Sequence, residues 1–255
     1  MRPYQYIALL FTATLAATTY FYLQGNISFY WLPVLCVAYL IVLYFGVTQI
    51  QWNFYLKSYN KGFSDKQIAL TFDDGPNRET EAILDILKNE GVPAAFFCIG
   101  KNVDANQLLA QRMHDEGHAL GNHSYYHTHS FDWMSSRKML AEIEQCNTII
   151  RQVTGKSPNL FRPPYGITNP NLMRAVKRSG MASIGWNLRS FDTMAKDGEQ
   201  LKNRIINKLK GGDIVLLHDS MPITREILTD LIRQARKKGF TFVRVDQLLD
   251  IKAYA

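Results

Sequence analysis

Four short clusters of polar residues carry side chains that could bind a metal ion and move protons. Thr71-Phe72-Asp73-Asp74-Gly75-Pro76 sets two carboxylates against a turn. Adjacent carboxylates cannot both face one partner, so one can ligate a cation while the other stays free as a base. Gly75 and Pro76 turn the chain at once and hold the acids at a rim. His123 and His127, four apart, can converge on one ion if their segment is helical or a tight loop. With Asp74 they offer two nitrogens and one oxygen, leaving positions open for water and substrate. His129 rivals His127, whereas His114 and His118 read as structural. Arg162-Pro163-Pro164-Tyr165-Gly166 puts a guanidinium before a stiff loop, where it could hold a carboxylate such as Asp73 ionised and oriented. Leu216-Leu217-His218-Asp219 presents an imidazole suited to general acid catalysis. Asp192, after Trp186, could pair with it and raise its pKa. Asp219 reads as the cap of the next helix. Each cluster alone has a plainer explanation, such as a solvated turn or a surface ion pair. Their common placement does not.

That placement comes from the surrounding pattern. From Lys66 onward short apolar runs alternate with amphipathic helical stretches. Strands are expected at 67–72, 94–99, 118–122, 160–162, 181–186, 213–218 and 241–244. Helices are expected at 79–88, 105–116, 135–153, 170–179, 199–209 and 223–237, with a short one at the end. Such alternation means parallel strands with helices outside. About seven strands make a distorted α/β barrel smaller than the eightfold kind, and all four clusters fall at carboxyl ends of strands, where such barrels build active sites.

Ahead of this domain the chain has a different character. No Asp, Glu, Lys or Arg lies between Arg2 and Lys57. Apolar blocks at about 4–23 and 29–50 each reach the ~20 residues that cross a bilayer core, joined by the polar turn Gln24-Gly25-Asn26-Ile27-Ser28. Aromatic residues cluster near their ends, as at membrane interfaces. Residues 1–56 are therefore expected to form a two-helix transmembrane hairpin and 57–255 the catalytic domain. A cleaved signal peptide, or a hairpin that binds a partner protein, is the alternative. Two spans put both ends on one side, and Arg2 with Lys57, Lys61 and Lys66 places that side, by the charge rule, in the cytoplasm; failure of the Thr-rich first block to span would reverse this. The net charge of +7 is spread over helix faces without interleaved aromatics, so no nucleic-acid partner is expected, while membrane lipid is. Cys36, Cys98 and Cys146 have no metal or disulfide spacing and read as small apolar residues.

Together the clusters resemble the NodB-homology polysaccharide deacetylases, carbohydrate esterase family 4, over roughly Gln67 to Leu249. TFDDGP stands unaltered at 71–76. HxxxH matches His123 and His127, RxPYG matches Arg162, Pro164, Tyr165 and Gly166, and LxHD matches Leu216 to Asp219. The tryptophan-to-aspartate motif matches Trp186 and Asp192, with Thr193 where an aromatic is common. The resemblance implies a hydrolase that removes an N-acyl group, acetyl first, from an amino sugar in a peptidoglycan, chitin-like or lipid-linked glycan. It implies one divalent ion on Asp74, His123 and His127, zinc first, with cobalt or manganese as alternatives. It makes Asp73 the base, Arg162 its orienter, the Tyr165 backbone N–H an oxyanion donor, and His218, assisted by Asp192, the acid. Tyr165, Trp186 and Leu216 would touch substrate. The competing readings are an O-acetyl carbohydrate esterase and a non-catalytic sugar-binding or assembly protein on the same scaffold.

Overall fold

The structure is a computed structural model describing residues 2–255. Two apolar helices come first, α1 (Pro3–Leu23) and α2 (Trp31–Thr48). They lie against each other, with Phe11 stacked on Tyr39 at 3.9 Å between centroids. None of α1's best apolar window and 6% of α2's is buried. These are not core helices of a soluble domain, and so much bare apolar surface calls for a covering medium or partner. The threonines of α1 do not spoil its apolar character. Thr12, Thr14 and Thr19 each donate their hydroxyl to the carbonyl four residues back, at 2.8–2.9 Å, which satisfies them within the helix.

The remainder is one parallel sheet with helices packed on it. The strands are β1 (Ser58–Tyr59), β2 (Gln67–Asp73), β3 (Ala95–Cys98), β4 (Ala119–Asn122), β5 (Leu160–Phe161), β6 (Ala182–Ile184), β7 (Leu188–Arg189), β8 (Ile214–His218) and β9 (Thr241–Phe242). Their order is β1-β6-β5-β4-β3-β2-β8-β7, with β9 beside the start of β2. All these pairs are parallel. The curled, distorted-barrel sheet expected from the alternation is therefore present. It holds two strands more than the seven expected, because β1 and β7 have only two residues each and cannot carry a periodic signal.

The helices are α3 (Thr80–Glu90), α4 (Gly100–Ala105), α5 (Gln107–Asp115), α6 (Ser136–Thr154), α7 (Pro170–Ser179), α8 (Gly198–Lys208), α9 (Pro222–Lys237) and α10 (Val245–Leu249). The helix expected over 105–116 is α5, and a short helix that was not expected, α4, precedes it; Asn106 separates the two, its φ of −135° and ψ of 51° not being helical. Helix α6 is capped as its sequence suggests, Ser135 accepting from the Lys138 N–H. Two apolar layers hold the sheet. Leu70, Phe72, Phe96, Val215 and Leu217 face the helices, while Ala69, Ala95, Phe97, Ile214 and Leu216 fill the concave side. Period-two alternation along β2, β3 and β8 produces this division.

The hairpin and the domain do not part at residue 56. Ile50, Phe54 and Leu56 are buried, and Ile50 joins the concave layer beside Trp186 and Leu216. By packing, residues 50–56 go with the domain. The charge pattern placed the division at 57 because charge marks where solvent begins, not where packing does.

Candidate active site

Strand register brings the clusters together. Asp73 and His218 are direct partners across β2 and β8. Asn122, at the end of β4, is paired with Phe161, so His123 and Arg162 follow side by side. The side chains ring a recess of about 210 Å³ that includes Asp73, Asp74, His123, His127, Tyr165, Trp186, Leu216 and His218. All but two of the expected site residues line it. Arg162 and Asp192 lie behind it, both with 0% exposure.

Every nitrogen of the Arg162 guanidinium donates a hydrogen bond. Its Nη1 donates to Asp73 Oδ1 at 2.7 Å and Thr71 Oγ1 at 2.8 Å, Nη2 to the Gly185 carbonyl at 2.9 Å, and Nε to the Ile184 carbonyl at 3.2 Å. The guanidinium also stacks on Phe97, 4.0 Å from the ring centroid. Burial pushes the Asp73 carboxyl above the usual carboxylate range, and the Arg162 charge pulls against it. With Oδ1 gripped, Oδ2 is the oxygen that turns toward His123, 3.8 Å from its Nε2.

Asp74, His123 and His127 form a compact donor set, with ligand atoms all within 4.8 Å of one another. His123 Nε2 and His127 Nε2 lie 3.7 and 3.6 Å from Asp74 Oδ1. The His123 Nδ1–H donates to the Arg162 carbonyl at 2.8 Å, fixing the tautomer that leaves the Nε2 lone pair inward. Burial, then the neighbouring His127, depress the His123 pKa to about 3, so the ring is neutral. Two imidazole nitrogens and one carboxylate oxygen with open positions suit a divalent ion such as zinc. The residues fit the group.

A tight loop, not a helix, achieves this convergence. Ser124 and His127 take φ of 65° and 52°, and Asp74 and Tyr165 take 78° and 57°. Non-glycine residues in that region are strained and gather at functional sites. Neighbours hold them there. Glu142 of α6 accepts from the Tyr125 and Tyr126 N–H groups, Ser124 Oγ from His127 N, and the Asp74 carbonyl from Asn102 Nδ2. His129, the rival ligand, instead pairs its Nδ1 with the Tyr165 hydroxyl at 3.2 Å. His118 is structural, accepting from Ala94 N at 3.1 Å, and His114 meets the Tyr254 hydroxyl at 3.4 Å.

On the opposite wall His218 Nδ1 pairs with Asp192 Oδ1 at 2.7 Å. Burial alone would lower the His218 pKa. The Asp192 hydrogen bond and charge outweigh it and raise the ring to about 9. Asp219 is not the helix cap its position suggested. Helix α9 begins at Pro222 with Met221 before it and no side-chain cap. Asp219 turns back instead, accepting from Thr80 Oγ1 at 2.6 Å and Asn77 Nδ2 at 3.4 Å. It braces the carboxylate-bearing turn, where the Gly75–Pro76 peptide is cis. Arg189 also lines the recess. Its place on a two-residue strand with no motif gave the sequence no signal for it.

Residues 60–184 match the polysaccharide deacetylase family model. Over 190 residues the chain is 33% identical to the peptidoglycan-N-acetylmuramic acid deacetylase PdaA of Bacillus subtilis, covering 72% of each protein. The structure superposes on a crystal structure of the peptidoglycan N-acetylglucosamine deacetylase Bc1960 with a TM-score of 0.73 and 27% identity, over 77% of this chain and 94% of that one. It also superposes on BA3943 of Bacillus anthracis, described as a family 4 pseudoenzyme, with a TM-score of 0.71 and 28% identity, over 76% and 69% of the two chains.

Proposed function

The chain belongs to the polysaccharide deacetylase family, and from that premise we propose that it hydrolyses the N-acetyl group of a glycan amino sugar in the Asp73–His218 recess. The observation that carries this is the convergence of Asp74, His123 and His127 to within 4.8 Å, with Asp73 and His218 in register on adjoining strands. A divalent ion bound to those three ligands would supply Lewis-acid polarisation of the amide and acidify a water. Zinc suits the two imidazoles best, with cobalt or manganese as substitutes.

The chain's own groups do the rest. Asp73 takes the proton of the attacking water on Oδ2, its other oxygen being held by Arg162. The Tyr165 backbone N–H offers a hydrogen bond to the oxyanion as the carbonyl becomes tetrahedral. His218 gives the Nε2 proton to the departing nitrogen while Asp192 keeps Nδ1 protonated. Water is consumed, and acetate and a free amine leave. Trp186 and Leu216 shape the wall against which the sugar rests.

The substrate suggested by the relatives' names is a peptidoglycan amino sugar. Helices α1 and α2 would anchor the chain as a hairpin of two spans, with both ends and the recess on the cytoplasmic side by the charge rule. Carbonate extraction and a reporter fused to the carboxyl terminus test anchor and sidedness. A sugar-binding role without turnover is the second reading, favoured only by the likeness to BA3943. Against it, no acid, base or ligand of the recess is replaced. Full-length protein in detergent with added zinc should release acetate from N-acetylglucosamine oligomers. Asp73→Asn should keep the ion but lose on the order of 10²–10⁴ in turnover. Equal traces of acetate from both proteins would hand the assignment to the binding reading.

A further inference from the structure

The recess opens beside the base of the hairpin. Helix α2 ends at Thr48 and a turn over Ile50–Trp52 follows at once, with Ile50 buried in the domain, so no long spacer separates anchor and domain. Long-range hydrogen bonds lock the junction, and three of them are no longer than 3.0 Å. Thr168 N donates to the Val47 carbonyl at 3.0 Å, Gln51 Nε2 to the Trp186 carbonyl at 2.8 Å, and Arg2 Nη1 to the Tyr55 carbonyl at 2.7 Å. Two of these tie α2 and its following turn to loops that wall the recess. A domain held this way cannot swing out to reach a distant polymer.

A second groove, of about 420 Å³, adjoins the recess, and Tyr165 is a wall of both. Val47 from the last turn of α2 forms part of it, with Trp133 and Ile167. Trp133 is 89% exposed, an amphipathic ring of the kind that settles at a membrane interface. The polar groups there are largely engaged. Asn169 donates to the Asp132 carbonyl and accepts from Leu172 N, and His129 faces Tyr165. Burial pushes the Asp132 carboxyl up to about 7, which lessens its charge in the groove. Apart from that carboxyl, whose Oδ1 has no hydrogen-bond partner among the described residues, little remains to bind the hydroxyls of a sugar chain.

We propose that this groove holds the hydrocarbon chain of a lipid-linked N-acylated amino sugar, whose head group enters the recess past Tyr165. The inference rests on the deacetylase reading for the head group and on the hairpin lying in a bilayer. The occupant follows from continuity: Val47, at the end of a candidate span, is part of the groove's apolar wall, so a chain leaving the bilayer beside α2 meets the groove first.

The test uses full-length protein in phosphatidylcholine vesicles. The probe is an alkyl N-acetylglucosaminide brominated along its chain, which quenches nearby tryptophan fluorescence. Wild type should show a saturable quench, displaced by the unbrominated glycolipid, and Trp133→Phe should lose that displaceable component. Separately, kcat/KM for the alkyl-linked sugar should exceed that for soluble chitotetraose at least tenfold, mostly through KM. Ile167→Asn should lower that ratio about tenfold. A quench unchanged in Trp133→Phe, or a ratio that Ile167→Asn does not move, overturns the proposal. The quench requires no turnover, so the two readings fail separately. Displaceable quench without acetate release keeps the groove and removes the deacetylase reading. Acetate release at equal efficiency from both substrates removes the groove alone.

Discussion

Asp192 grips His218 twice, its Oδ1 meeting ring Nδ1 at 2.7 Å and its Oδ2 accepting the His218 backbone N–H at 2.7 Å. A carboxylate can only accept, so Nδ1 carries a proton and Nε2 is the atom presented to the recess. Thr224 Oγ1 completes the coordination of Oδ2 at 2.7 Å. The same carboxylate fixes the ring's direction and its proton affinity.

A pH profile follows from that pair. The protonated ring is the active form of a general acid, and its folded pKa stands near 9. The plot of kcat/KM should therefore stay level from neutral pH to about 9 and fall above it. In Asp192→Asn only burial and the residual charges act, and burial lowers the pKa of an imidazole. The alkaline limb should move down by about two units or more, so that activity at pH 7.5 falls by about fourfold at the least. An alkaline limb that stays at 9 in the variant would remove Asp192 as the source of the shift.

Arg162 should matter as much to stability as to turnover. It is fully buried and pairs with a carboxylate that is only 4% exposed. Removing one partner of such a pair leaves an uncompensated buried charge, which costs about 3–5 kcal/mol. Arg162→Met should lower the urea midpoint accordingly. Arg162→Met/Asp73→Asn should regain part of the loss, because the orphaned carboxylate is gone. Additive losses in the double variant would contradict the pairing.

One equivalent of divalent ion should bind the full chain, read by titration calorimetry and by a rise in melting temperature. Binding to the folded state alone stabilises by RT ln(1 + [L]/Kd), about 2.7 kcal/mol when the ion is at a hundredfold Kd. His123→Gln or Asp74→Asn should abolish both signals, and His129→Gln should leave both in place. Loss of the ion in His129→Gln would mean that the wrong histidine has been assigned to the site.

The grouping of the candidate site residues was legible in the sequence, as was the sheet that carries them. The candidates sit at strand ends, where apolar runs break into polar ones, so Asp73, His123, Arg162 and His218 announce both the strand and its rim. Regular elements long enough to show a period were equally plain, as in α6 and α9. What escaped was set by tertiary contact. Helix α4 has only six residues, too few to show a period, and Asn106 sets it apart from α5. Asp219 looks like a cap because it precedes a helix, but the chain runs on to Met221 before that helix starts, and the carboxylate finds Thr80 across 139 positions of sequence. Ile50 looks like the end of a span, and Phe54 and Leu56 lie ahead of the first charge, yet all three are core residues of the domain. No local pattern encodes which of two apolar environments a residue will join.

The Asp219 brace gives a last prediction, about coupling. A Cβ added at Gly75 would lie 1.9 Å from Asp219 Oδ2, too close for both groups to stay. Gly75→Ala should therefore push Asp219 off Thr80 and shift the turn that carries Asp73 and Asp74. Forced displacement in a packed site costs about 1–3 kcal/mol. Asp219→Ala alone leaves the Thr80 hydroxyl without its buried partner, at a similar cost of about 1–3 kcal/mol. The double variant removes the clash along with the brace, so it should be less destabilised than the sum of the two, by about 1 kcal/mol or more. Urea denaturation of the four proteins measures this coupling. Turnover should fall in Gly75→Ala and recover in part in the double variant, because the carboxylates can then return toward the His123 side. Strict additivity in both stability and turnover would show that Gly75 and Asp219 act independently, and that the turn is held by something else.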